Sequence, residues 1–219
     1  LYPALYGYPF DNFLLRTASS LLLLNEVWFV SITSFSNVPY WSICYEMWYY
    51  VAFGIFMFLP KRSGLMALAL LALVLGPKVT LLAPIWILGV VLYRSRHLQA
   101  VSESVAWILV AVSSLGIVAF HHTAFTDQVA SFTKGLVGER WHAQFTFSKF
   151  FPSDYLLGVL VFFNFVGMRK VSPRMLPFLS RVERPIRYLA GYTLSLYLLH
   201  QPLFLFWAAV IHGDPAGHA

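Results

Sequence analysis

The sequence predicts an all-α protein, a polytopic transmembrane helical bundle with about six to seven membrane-embedded helices. Apolar residues make up 59% of the 219 residues and charged residues only 11%, roughly half the charge of a soluble domain. The mean hydropathy is +0.69. The apolar residues gather into successive runs, several of them close to the roughly 20 residues that carry an α-helix across a bilayer core. The 20 Phe, 12 Tyr and 7 Trp supply the aromatic belts of a membrane interface. A chain of this length is expected to form one membrane domain, 1–219, with the lipid bilayer as its first partner.

Each run has its own signature. Run 13–33 is apolar with Arg16, Asn25 and Glu26 interrupting it, and reads as a span or as a helix at the interface. The clearest span is 40–59, YWSICYEMWYYVAFGIFMFL, whose one charged residue is Glu46; it stops at Pro60-Lys61-Arg62. Runs 65–75 and 79–93, parted by Gly76-Pro77-Lys78, are short for straight spans and predict a helical hairpin with thin or kinked legs. Run 104–120 is the next span, and a polar, aromatic-rich loop covers 121–149. Run 150–168 is a span ended by Arg169-Lys170. A basic loop with Pro173, Pro177 and Pro185 fills 171–187, and 188–211 is the last span. The chain begins and ends between recognisable elements, so an N-terminally truncated fragment of a larger protein is expected.

Charge orients the spans. The loops after 59, at 94–103 and at 169–187 hold Lys61, Arg62, Arg94, Arg96, Arg169, Lys170, Arg174, Arg181, Arg184 and Arg187, which is 10 of the 15 basic residues. Alternating spans put these three loops on one side, and the positive-inside rule makes that side cytoplasmic. The net charge of +6 is thereby explained by topology, and no nucleic-acid partner is expected. The single cysteine, Cys44, excludes an intramolecular disulfide and a Cys-based zinc site. It reads as a small core residue, and no metal is expected.

Two clusters could carry chemistry. In Pro39–Tyr50, Ser42 stands one helical turn before Glu46 and Tyr50 one turn after it, so a hydroxyl and a phenol can orient the carboxyl group. A carboxyl within a span is costly and by default points to function; the alternative is a Glu neutralised by a neighbouring helix to hold the bundle together. In 191–202, GYTLSLYLLHQP, His200 lies mid-span with Tyr197 three residues before it and Pro202 two after. Pro202 cannot donate to the carbonyl of Leu198, so the helix is expected to kink there. A histidine beside a freed carbonyl suits proton transfer, and it equally suits packing against another helix. His121-His122, Asp127, Glu139, His142 and Asp154 show no ligand spacing, and Asp154 reads as a helix cap.

Together these clusters resemble one family. Pro39–Tyr50 is similar to the proline/aromatic-tryptophan-serine-(x)₃-glutamate segment of the integral-membrane acyltransferase family three, and YTLSLYLLH at 192–200 is similar to the serine-leucine-tyrosine-leucine-x-histidine segment of its late spans. Leu1-Tyr2-Pro3 is similar to the short stretch that follows a basic cytoplasmic loop in these proteins. The stretch 65–120 matches only in hydropathy. The resemblance implies transfer of an acyl group, acetyl above all, from acyl-CoA to an extracytoplasmic carbohydrate hydroxyl at the bacterial inner membrane. It implies acyl-CoA (acetyl-CoA) as donor substrate, a carbohydrate acceptor as partner and a polysaccharide of the cell envelope as the setting. It makes Glu46 and His200 candidate catalytic residues, with Trp41, Ser42, Tyr45, Tyr50, Ser195 and Tyr197 as candidate substrate-binding residues. The family's early basic residue and its downstream histidine do not precede Leu1, so the chain alone is expected to be inactive. The rival expectation is a secondary transporter or flippase using the mid-membrane Glu and His.

Overall fold

A computed structural model describes residues 11–95 and 97–212. Leu1-Tyr2-Pro3 and Arg96 lie outside the described residues. Among these residues the fold is all-α, with no strand. The helices are α1 (Phe13–Leu21), α2 (Trp41–Phe58), α3 (Lys61–Leu75), α4 (Pro77–Arg94), α5 (Glu103–His122), α6 (Phe125–Val137), α7 (Glu139–Gln144), α8 (Phe151–Leu179), α9 (Glu183–Ala190) and α10 (Thr193–His212). Among the described residues three helices are long and apolar enough to cross a membrane: α4, α5 and the helical stretch Thr146–Pro177 that overlaps α8. The protein is therefore a membrane protein, with these three as candidate spans among the described residues. α2 is not among the three; Glu46 and its Tyr and Trp side chains dilute an otherwise apolar helix. The contacts divide the chain into two units, one comprising the described residues up to Leu71 with those from Pro185, the other Ala72–Arg184.

In the first unit the expected helix over 13–33 is only α1. The backbone leaves the helical region at Leu23, Trp28 and Phe35, all with positive φ. Such a conformation is strained for a non-glycine residue and persists only when surroundings hold it. Here they do. The Leu23 carbonyl accepts from Cys44 Sγ at 2.9 Å and from Trp48 Nε1 at 2.7 Å, both on α2. Arg16 on α1 donates through Nη1 to the carbonyl of Thr33 at 3.0 Å and through Nη2 to Asp11 at 2.7 Å. That guanidinium holds the Asp11 carboxyl below the usual carboxylate range. Tyr40 donates to the Ser20 carbonyl at 3.0 Å, so 22–37 is a folded strap over the start of α2.

In the second unit α8 is central. It runs parallel to α4: Tyr155 donates to the Leu81 carbonyl near one end, and Arg169 Nη1 donates to the Leu92 carbonyl at 2.8 Å near the other. It runs antiparallel to α5, where Asn164 Nδ2 donates to Ser113 Oγ and Ser114 Oγ, each at 3.0 Å, and Arg174 pairs with Glu103. Interhelical amide–hydroxyl bonds of this kind hold helices together where lipid gives no hydrophobic drive. The close approach is at Gly167, where an added Cβ would lie 2.6 Å from the Ala106 carbonyl oxygen. Gly76, at φ 82, and Pro77 at the first turn form the expected break between α3 and α4. Ser102 caps α5 by accepting from the Val105 amide.

Two expected boundaries are corrected. The helix carrying 150–168 does not end at Arg169-Lys170; α8 continues to Leu179 through Pro173 and Pro177. Charge marks where a helix leaves hydrocarbon, whereas backbone hydrogen bonding can continue into the polar phase. The expected loop at 121–149 contains α6, α7 and a 3₁₀ turn at Thr146–Phe150, with Gly138 at φ 85 joining α6 to α7.

Candidate functional site

Both candidate clusters lie in the first unit. Pro39 starts a short 3₁₀ turn, Val38–Tyr40, that feeds α2. One helical turn separates Ser42, Glu46 and Tyr50 in succession. Tyr50 donates its phenol proton to Glu46 Oε1 at 2.6 Å, the i,i+4 pairing that the spacing requires. The carboxylate is exposed at the surface of this unit. Ser42 Oγ donates to the Pro39 carbonyl at 3.0 Å.

The second cluster reaches the first through Tyr197. Its hydroxyl lies 2.8 Å from Ser42 Oγ and donates to the same Pro39 carbonyl at 3.3 Å. Residues 155 positions apart in sequence thus share one polar contact. His200 follows one turn later on α10, with Nδ1 2.5 Å from the Tyr197 carbonyl and its ring 5.9 Å from the Tyr197 ring. A carbonyl only accepts, so Nδ1 donates and a neutral imidazole keeps its lone pair on Nε2. That nitrogen is the basic atom of the site, and His200 is exposed.

The remaining candidates separate by burial. Tyr45 is in the core, 3% exposed, and stacks edge-on against Trp41 with ring centroids 5.2 Å apart. Its place is structural support for the Trp41 ring. Ser195 is exposed on the first turns of α10 and does not join the Ser42–Tyr197 contact. Among the described residues no direct contact links Glu46 to His200. Two carboxylate or hydroxyl pairs, Glu46–Tyr50 and Ser42–Tyr197, together with the His200 base, are what the chain assembles. Chemically this gives an anchored carboxylate, two hydroxyl donors and one imidazole lone pair.

Two ionisable groups outside both clusters are buried. Glu26 is fully buried and accepts from Ser31 Oγ at 2.5 Å, beside Asn25, which is 1% exposed. The adjacent polar pair inside an apolar run was their visible sign. Lys78 is also fully buried, at the start of α4, and donates to Thr146 Oγ1 at 3.3 Å while Ser148 donates to its carbonyl at 3.0 Å. Its place in a Gly-Pro-Lys turn suggested only a break. Of the weaker candidates, Glu139 pairs with Lys134 at 2.5 Å, whose ammonium holds its carboxyl below the ordinary glutamate value. His142 is 9% exposed with Nε2 unpartnered. Among the described residues no group of three or more His, Cys, Asp or Glu side chains could hold a metal ion. Comparison with known protein families, with curated proteins and with solved structures finds no match to this chain.

Proposed function

We propose that this protein is a membrane acyltransferase that moves an acetyl group from acetyl-CoA to an extracytoplasmic carbohydrate hydroxyl, as the family-three resemblance implies. The observation that carries the reading is the Ser42–Tyr197 contact at 2.8 Å. It joins the two segments whose motifs resemble that family. In this reading α2, α3 and α10 are membrane-embedded as well. A short α1 at the interface brings the embedded helices to about six to seven. The membrane is the bacterial inner membrane.

The chemistry follows from the groups present. The His200 Nε2 lone pair takes the proton of a sugar hydroxyl as its oxygen attacks the thioester carbonyl. The attack gives a tetrahedral oxyanion. It collapses with loss of the CoA thiolate, which recovers the proton from the imidazolium. Glu46, fixed by Tyr50, positions the acceptor through its carboxylate. Ser42 and Tyr197 hold the two helices in register.

The test uses membranes from cells producing the protein in a host lacking envelope O-acetylation. Radiolabelled acetyl-CoA is supplied, and alkali-labile acetate on carbohydrate is measured. The full-length protein is expected to transfer label, and in it Glu46→Gln and His200→Ala each to lower transfer by about 10²-fold or more at unchanged membrane levels. Wild-type transfer in both variants, or carbohydrate movement across the membrane with no ester formed, would overturn the reading; the latter assigns the protein to transport.

A further inference from the structure

An apolar trough runs along the second unit between α4 and α8. One part, about 410 Å³, is lined by Gly89, Gly158 and Phe165 among others, with Asp154 at its end. A second part, about 380 Å³, shares Gly89, Leu92 and Phe165 and ends at Arg169 and Ser172. The shared residues make the two continuous. Glycines shape it. A Cβ on Gly158 would meet Ile85 at 3.4 Å, so the helices touch there, whereas a Cβ on Gly89 meets nothing within 4 Å. Between Gly158 and Arg169 helix α8 rises about 16 Å, close to half of a hydrocarbon core of about 30 Å. The trough therefore has the depth of one leaflet.

Its two ends carry opposite charge. Arg169 is exposed and spends one N–H on the Leu92 carbonyl. A guanidinium has five, and the bond to α4 fixes the others at the trough's mouth. Glu103, on neighbouring α5, is paired with Arg174. Lys170 follows directly, and Ser172 adds a hydroxyl. At the far end stands the Asp154 carboxyl.

We propose that this trough binds an anionic phospholipid, with the phosphate on Arg169 and Ser172 and one acyl chain lying past Phe165 and Gly89 towards Gly158. An amphiphile suits a leaflet-deep apolar channel with a cation at its mouth. The reverse orientation would set a phosphate against Asp154. A zwitterionic lipid brings its own cation to an already positive mouth and gains less. Charge-assisted, bidentate recognition of phosphate is what arginine geometry favours. The proposal is independent of the acyl-transfer reading.

The test is lipid retention measured by native mass spectrometry after release from nanodiscs containing equal phosphatidylglycerol and phosphatidylcholine. The wild-type protein is expected to keep phosphatidylglycerol preferentially. Arg169→Gln should reduce that preference about tenfold, the size of one charge-assisted hydrogen bond. Lys170→Gln, outside the trough lining, should leave it within about twofold. Gly89→Leu, whose side chain grows into the empty space, should lose retained lipid of both kinds while far-ultraviolet circular dichroism stays unchanged. Should Gly89→Leu not accumulate, the Arg169→Gln and Lys170→Gln comparison decides alone. Equal retention of both lipids by the wild type, undiminished retention in folded Gly89→Leu, or an equal effect of Arg169→Gln and Lys170→Gln would overturn the proposal.

Discussion

Alanine at position 167 tests the packing of the second unit. Its Cβ would lie 2.6 Å from the Ala106 carbonyl oxygen, 2.8 Å from Val110 Cγ2 and 3.1 Å from the Val110 nitrogen. Ordinary contact begins at 3.4 Å, so α5 and α8 must part by about 0.8 Å at this crossing. A valine methyl can turn aside, but a helical carbonyl cannot. The parting would loosen Ala106, Val166 and Val171, which are 0%, 2% and 0% exposed. Overpacking of this kind costs about 1–3 kcal/mol. Glycine-to-alanine replacement in a helix also gains up to about 1 kcal/mol of propensity, which would mask part of the loss. Gly89→Ala supplies the correction, because nothing lies within 4 Å of its Cβ and the propensity gain is the same in kind. Reversible unfolding in mixed micelles, followed by circular dichroism, gives both stabilities. Gly167→Ala is expected to be less stable than Gly89→Ala by about 1–3 kcal/mol. Equal stabilities would refute the close approach and with it the stated packing of α5 on α8.

Two further outcomes are expected. A double-mutant cycle with Ser42→Ala and Tyr197→Phe should show a coupling of about 0.5–1.5 kcal/mol in unfolding; strict additivity would mean that the two hydroxyls do not meet. Glu139 should titrate below the ordinary value of 4.5, because the hydrogen bond from Lys134 and then its charge favour the carboxylate. A lowered folded-state pKa means the ion pair is whole above the ordinary value and is lost as pH falls through the lowered one. Carboxyl NMR of Lys134→Gln should find Glu139 titrating higher than in the wild type, and an unchanged titration would discard the pairing.

The sequence made the long helices legible and the strap illegible. α4 and α5 follow apolar runs bounded by Gly76-Pro77 and by the cap at Ser102, which are local signals. The strap at 22–37 has the hydropathy of a span, but Leu23, Trp28 and Phe35 take positive φ. At Leu23 that conformation is held by Cys44 and Trp48 donating from α2, a tertiary cause that no window along the chain contains. The end of α8 lies past Arg169 and Lys170: Arg169 bonds to the Leu92 carbonyl on α4 and both residues are exposed, so neither charge stops the helix. In the candidate site, the Glu46–Tyr50 bond was readable from helical spacing alone. The Ser42–Tyr197 bond was not, since spacing says nothing about residues on separate helices; only the likeness of both segments to one family linked them.

The Pro39 corner holds fewer protons than contacts. Ser42 and Tyr197 each approach the Pro39 carbonyl, at 3.0 and 3.3 Å, and approach each other at 2.8 Å. Two hydroxyls own two protons, and a carbonyl owns none. From the chain's own atoms, then, one of the three approaches is always without a proton. Either both hydroxyls face the carbonyl and their oxygens are left lone pair to lone pair, or one turns to the other and leaves the carbonyl singly bonded. The corner is a small degenerate set whose members differ by a hydroxyl rotation, with no heavy atom displaced. A group arriving with a proton to donate would settle the set by occupying the spare oxygen. An incoming hydroxyl-bearing molecule would therefore meet a corner that accommodates it by proton placement alone.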